Sequence, residues 1–103
     1  MHRLRLDDSG RTIRVHVGDI IRVRLPGGSS GGYHRPKSTA TPVRRTWATG
    51  GYPGDEDARA HFVADHHGRA DLVASDDYAC LHTTPRCMVP QRLWVVHVRV
   101  HRG

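Results

Sequence analysis

No stretch of the chain stays apolar for the length a membrane-crossing helix needs. The N-terminal MHRLRLDDSG lacks the apolar core of a signal peptide. The expected chain is therefore cytoplasmic or already trimmed after export, with no membrane partner. Aromatics are scarce, at 6% of 103 residues. The apolar residues are mostly Val, Leu, Ile and Ala, so the core should be thin, as between two packed sheets. No segment shows a helical period of apolar residues. Lysine is almost absent: Lys37 is the single one among sixteen basic residues, which face ten acidic ones for a formal charge of +6.

That charge admits a nucleic-acid or acidic partner. Yet Arg14, Arg22, Arg24, Arg44, Arg45, Arg69 and Arg99 are scattered and alternate with apolar residues, as on the solvated faces of sheets. A nucleic-acid interface is therefore not expected.

What is present is alternation. Leu4 and Leu6 alternate with arginines before the turn cluster Asp7-Asp8-Ser9-Gly10. Ile13, Val15 and Val17 then share one face, and after Gly18-Asp19 so do Ile21, Val23 and Leu25. Period two, broken by turn dipeptides, denotes strands. Residues 34–42 hold two prolines and suit a loop or an edge strand. Val43 to Ala48 reads as a short strand with Trp47 inward. Thr49 to Asp57 is a Gly/Pro-rich loop, and Ala60, Phe62 and Ala64 point inward from the strand after it. His66-His67-Gly68 turns the chain into a strand carrying Ala70, Leu72 and Ala74. A long loop is expected from about Asp76 to Gln91, and a last strand places Trp94, Val96, Val98 and Val100 on one face. The expectation is a single all-β domain over residues 1–103, a sandwich or barrel of about seven strands.

The densest feature is Gly27-Gly28-Ser29-Ser30-Gly31-Gly32-Tyr33, with four glycines in six residues. Such a run predicts a loop whose backbone takes positive φ or lies very close to something else. Tyr33 closes it with a ring large enough to anchor it.

Catalytic patterns are weak. No Gly-x-Ser-x-Gly elbow occurs, and neither cysteine sits in a peptidase-like signature. The carboxylate pairs Asp7-Asp8, Asp55-Glu56-Asp57 and Asp76-Asp77 read as solvated turns, so an enzyme is not expected. Cys80-x-His82-x4-Cys87, with His66 or His67, offers zinc-ligand types, but the spacing matches no zinc module; neither metal nor cofactor is expected. Cys80 and Cys87 are better read as a local disulfide stiffening the third loop, which would place the protein in an oxidising compartment. Two reduced thiols in a cytoplasmic protein are the alternative.

In order and spacing, the chain from about Gly18 onward resembles the chagasin-type inhibitors of papain-like cysteine peptidases. Gly28 to Tyr33 stands where that family has Asn-Pro-Thr-Thr-Gly-Tyr/Phe, keeping Gly32 and Tyr33, with Ser30 in place of the first Thr. Gly50-Gly51-Tyr52-Pro53-Gly54, ahead of Phe62, occupies the place of a Gly-rich second loop. Gly68-Arg69-Ala70-Asp71-Leu72 matches a Gly turn and "Ala-x-Leu" strand. The third loop has Pro85-Arg86 where the family has Arg-Pro-Trp. The resemblance implies an immunoglobulin-like β-sandwich, a monomer, whose three end loops plug a papain-like peptidase's cleft. The contact residues would be Gly28, Ser29, Ser30, Gly31, Gly32, Tyr33, Gly50, Gly51, Tyr52, Pro85 and Arg86. A non-inhibitory interaction domain of the same descent, serving another partner, remains the alternative.

Overall fold

The structure is a computed structural model describing residues 1–88 and 90–102; Val89, within the expected third loop, and Gly103 lie outside the described residues. The described residues form nine strands: β1 (His2–Leu4), β2 (Thr12–His16), β3 (Ile20–Leu25), β4 (Gly31–Tyr33), β5 (Lys37–Ser38), β6 (Val43–Thr49), β7 (Ala58–Ala64), β8 (Gly68–Tyr78) and β9 (Leu93–His101). One sheet has the order β1-β3-β7-β6, and the other β2-β9-β8-β4 with β5 also on β8. The result is an immunoglobulin-like sandwich; the strands beyond the expected seven are short ones such as β1 and β5.

The alternation read from the sequence explains the core. Ile21, Val23 and Leu25 of β3 lie beside Phe62, Ala60 and Ala58 of β7, and Ala70, Leu72 and Ala74 of β8 lie beside Val98, Val96 and Trp94 of β9. With Ala64 and Val100 they are buried on the inner faces of the two sheets. Alanines on β7 and β8 keep the layers thin, and Phe62 and Trp94, both fully buried, fill the gap. Each such ring contributes about 1.5–3 kcal/mol from burial. Trp94 also donates its indole N–H to the Arg5 carbonyl at 2.9 Å. That bond fixes the crossover between sheets, where the chain leaves β1, which runs parallel to β3, for β2, which runs parallel to β9.

Several expectations shift at element ends. Leu6 begins a 3-10 turn (Leu6–Asp8) and is 40% exposed, because the chain is changing sheets there. Val17 lies past the end of β2 and is exposed for the same kind of reason. Trp47 is not a core residue but 45% exposed. A bulge between Arg45 and Trp47 leaves Thr46 without a partner on β7, so the inward phase passes from Val43 to Ala48, and Trp47 lies opposite outward-facing His61. Arg45, on the inward phase before the bulge, donates to the Pro36 carbonyl at 3.0 Å along the sandwich flank.

The largest shift concerns β8. It runs to Tyr78, so Asp76 and Asp77 belong to a strand and are buried, not solvated turn residues. The third loop starts only after Tyr78, with a 3-10 turn over Ala79–His82.

Candidate functional site

Three connections meet at one end of the sandwich: β3–β4, β6–β7 and β8–β9. The expected first loop is shorter than its glycines suggest. Only residues 26–30 are irregular, and Gly31, Gly32 and Tyr33 form β4, paired with Tyr78, Asp77 and Asp76. None of these glycines has positive φ; close approach is what requires them. A Cβ on Gly27 would fall 2.2 Å from the Glu56 carbonyl oxygen, one on Gly31 2.5 Å from the Tyr78 ring, and one on Gly32 2.9 Å from the Gly27 Cα. Side chains are excluded because this strand and loop are wedged between their neighbours. Tyr33 anchors as expected, but as a buried residue of the core, 7% exposed. It holds the loop from beneath, and burial together with the Asp76 carboxylate pushes its phenol pKa up.

In the second loop the positive φ does appear, at Gly50 (+68°) and Gly51 (+84°). Gly51 is buried against the Tyr33 carbonyl, to which the Tyr52 N–H donates at 2.9 Å. Asp57, at the loop's far end, accepts from the Gly27 N–H at 3.0 Å and from the Arg24 guanidinium at 2.7 Å. The Arg24 bond first, and then the backbone one, hold the Asp57 carboxyl below the usual carboxylate range. The first two loops are thus tied by main chain and one ion pair.

The third loop is fastened differently. Cys80 and Cys87 form a disulfide, with Cα atoms 5.3 Å apart. The pairing expected from their spacing is present, and neither sulfur is a thiolate for a metal. The Cys87 N–H donates to the Cys80 carbonyl across the ring at 3.0 Å, and the Ala79 N–H donates to the Ser30 carbonyl at 3.0 Å, joining the third loop to the first. At the root of the loop, Asp76 accepts from the Tyr78 hydroxyl at 3.1 Å and from the Arg92 N–H. That bond and the charge behind it raise the Tyr78 phenol pKa.

One cluster joins the second and third loops to the chain just past β4. Asp77 faces His34, just past β4, at 3.2 Å and His82, in the third loop, at 2.9 Å. The Tyr52 ring of the second loop packs edge-on against His34, with centroids 5.5 Å apart, and stacks on His82 at 5.9 Å. Burial pushes the Asp77 carboxyl upward; the bonds from His82, the Tyr78 N–H and His34 outweigh it, leaving its pKa lowered. Among the described residues no hydroxyl or thiol is bonded to either histidine, so the arrangement suits a rigid surface better than nucleophilic chemistry.

Of the sequence-derived contact residues, Ser29 and Ser30 are exposed and Tyr52 is half-buried on this end, while Gly31, Gly32, Gly51 and Tyr33 lie beneath as its support. Pro85 and Arg86 are exposed on the disulfide ring. His34, Asp77 and His82 are not among those contact residues: the sequence offers His82 only as a zinc-ligand type and Asp77 only as a solvated turn. A signal for part of this existed, since extending the inward phase of Ala70, Leu72 and Ala74 by two residues reaches Asp76 inside a strand.

The architecture defines an immunoglobulin-like sandwich with a three-loop end, and solved structures share it. The chain is similar to the cysteine protease inhibitor EhICP2 from Entamoeba histolytica, with a TM-score of 0.71 and 10% identity over 97% of this chain and 94% of that one. It is also similar to amebosin, with a TM-score of 0.57 and 16% identity over 98% and 99% of the two chains. At such identities the likeness is one of fold. No protein-family model matches the chain, and no curated protein does.

Proposed function

We propose that this protein is an inhibitor of papain-like cysteine peptidases, acting as a wedge built from the three end loops. One observation carries the reading: the three loops are bonded into one surface. The second and third are joined through Tyr52 and His82, packed with His34 and Asp77. The first is joined to both, through the Gly27 N–H on Asp57 and the Ser30 carbonyl on the Ala79 N–H. A wedge ordered before binding loses little conformational entropy on entering a cleft. The first loop, with Gly28, Ser29 and Ser30 at its tip, would enter deepest; the flanking contacts would come from Tyr52 on one side and Pro85 and Arg86 on the other. The fold shared with a cysteine protease inhibitor supports this reading.

A second reading rests on the third loop. It presents Pro85 and Arg86 without an aromatic anchor, and among its described residues the most exposed apolar side chain is Met88, at 97%. A large aromatic anchor is a common centre of interface energy, so a non-inhibitory interaction domain would look like this too. Titration of papain and a cathepsin L-like enzyme with the intact, oxidised protein separates the two. Stoichiometric inhibition at or below micromolar concentration is expected. Full peptidase activity at tens of micromolar protein, with the sandwich confirmed by circular dichroism, would overturn the inhibitor reading.

A further inference from the structure

The arginines that look scattered in the sequence are gathered by the strand register. Across the outer face of the β1-β3-β7-β6 sheet, Arg3 lies opposite Arg22, Arg22 opposite His61, and His61 opposite Trp47. One step along the strands, Arg24 lies opposite Arg59. Arg3, Arg5, Arg22, Arg24, Arg59 and His61 line a shallow groove of about 280 Å³. Arg24 is paired with Asp57 at 2.7 Å; Arg3, Arg5, Arg22 and Arg59 have no ion-pair partner among the described residues. Like charges directly opposite one another on a sheet are destabilising. This face therefore carries repulsion that a bound polyanion would relieve.

Trp47 gives the surface a second property. Turned outward by the bulge, it stacks against His61 with centroids 4.6 Å apart and remains 45% exposed at the end of the arginine row. The opposite sheet has its own row, Arg14, Arg99 and Arg69, but no exposed aromatic beside it. Arginines next to an accessible indole on an open sheet suit a flexible strand of phosphates whose bases are free to stack. In a duplex the base faces are already covered.

We propose that the outer face of the β1-β3-β7-β6 sheet binds single-stranded nucleic acid, with Arg3, Arg22 and Arg59 on phosphates and Trp47 stacked on a base. The face is separate from the loop cluster, and the inference stands whether or not the protein inhibits a peptidase.

The test is anisotropy of a fluorescein-labelled oligo-dT of about twelve nucleotides, titrated with the intact protein at low and moderate salt. Micromolar binding is expected, with log K falling against log salt at a slope of about −2 to −3. Trp47→Ala should weaken binding about five- to a hundredfold with the slope unchanged, because stacking releases no counterions. Arg22→Ala with Arg59→Ala should reduce both affinity and slope. Of the two tryptophans, Trp94 is fully buried, so fluorescence quenching on binding reports Trp47. Absence of binding at 50 mM salt would overturn the proposal. So would equal losses from Arg14→Ala with Arg99→Ala on the other sheet, an unaffected Trp47→Ala, or tighter Trp47-independent binding to heparin or anionic vesicles.

Discussion

The first two loops and the third reach rigidity by opposite routes. Loops one and two are held chiefly by backbone packed on backbone, through glycines whose missing side chains allow carbonyl oxygens within contact distance, with the Asp57 carboxylate as the one side-chain tie. The third is held chiefly by side chains, a disulfide, two buried aspartates at its root and a histidine stacked on Tyr52, with main-chain bonds at Ala79 and Cys87 beside them. The first route leaves no room for substitution at the glycines. The second leaves the outer half of the loop, around Pro85, Arg86 and Met88, free to vary without disturbing the frame. A binding end built this way can keep its centre fixed and retune its rim.

The sharpest way to break the comparison is Gly50→Ala. The new Cβ would sit 2.0 Å from the Asp57 carbonyl oxygen at a φ of +68°. Overpacking and left-handed strain together should cost about 2–4 kcal/mol, read as a lower denaturation midpoint and lost inhibition. The side-chain route should fail more mildly. Removing the bridge with Cys80→Ser and Cys87→Ser should cost about 2–3 kcal/mol by the loop-entropy argument, with inhibition weakened but not abolished. Asp77→Ala, which strips His34, His82 and the Tyr78 N–H of their shared acceptor, should cost about 1–3 kcal/mol. Nuclear magnetic resonance would show the His34 and His82 ring signals moving together.

Acid should loosen both routes. The folded-state carboxyls of Asp57 and Asp77 are lowered, so the stability they contribute is complete above the unfolded value near pH 4 and is lost as pH falls below it toward the folded values. Thermal midpoints measured downward from neutral pH should hold level and then fall, and Arg24→Ala should flatten the share due to Asp57. The smallest effect is expected from Arg86→Ala: no change in stability and a several-fold change in inhibition at most, since Arg86 is exposed on the ring.

Much of the sandwich was legible because period two records which face of a strand is dry. The runs at Ile21 to Leu25, Ala58 to Ala64 and Trp94 to Val100 needed nothing else. The misses came where a local event broke the period or a partner changed its meaning. The bulge beside Thr46 turned Trp47 from core to surface, and no feature of VRRTWA announces it. Asp76 and Asp77 read as a solvated turn because the strand they pair with, β4, and the donors Arg92 and His34 are distant in sequence. Gly31 and Gly32 read as loop because β8, the strand that pairs with them and at Gly31 also excludes a side chain, is more than forty residues away.

Composition and periodicity, then, determined the all-β class, the thin aliphatic core and the short disulfide ring, since each depends on residues near in sequence or on one face of one strand. Only the tertiary structure decided which loops meet, which histidines share Asp77 and which arginines form a row. Those are properties of register between strands, and register is set by the packing of the whole sandwich rather than by any one segment.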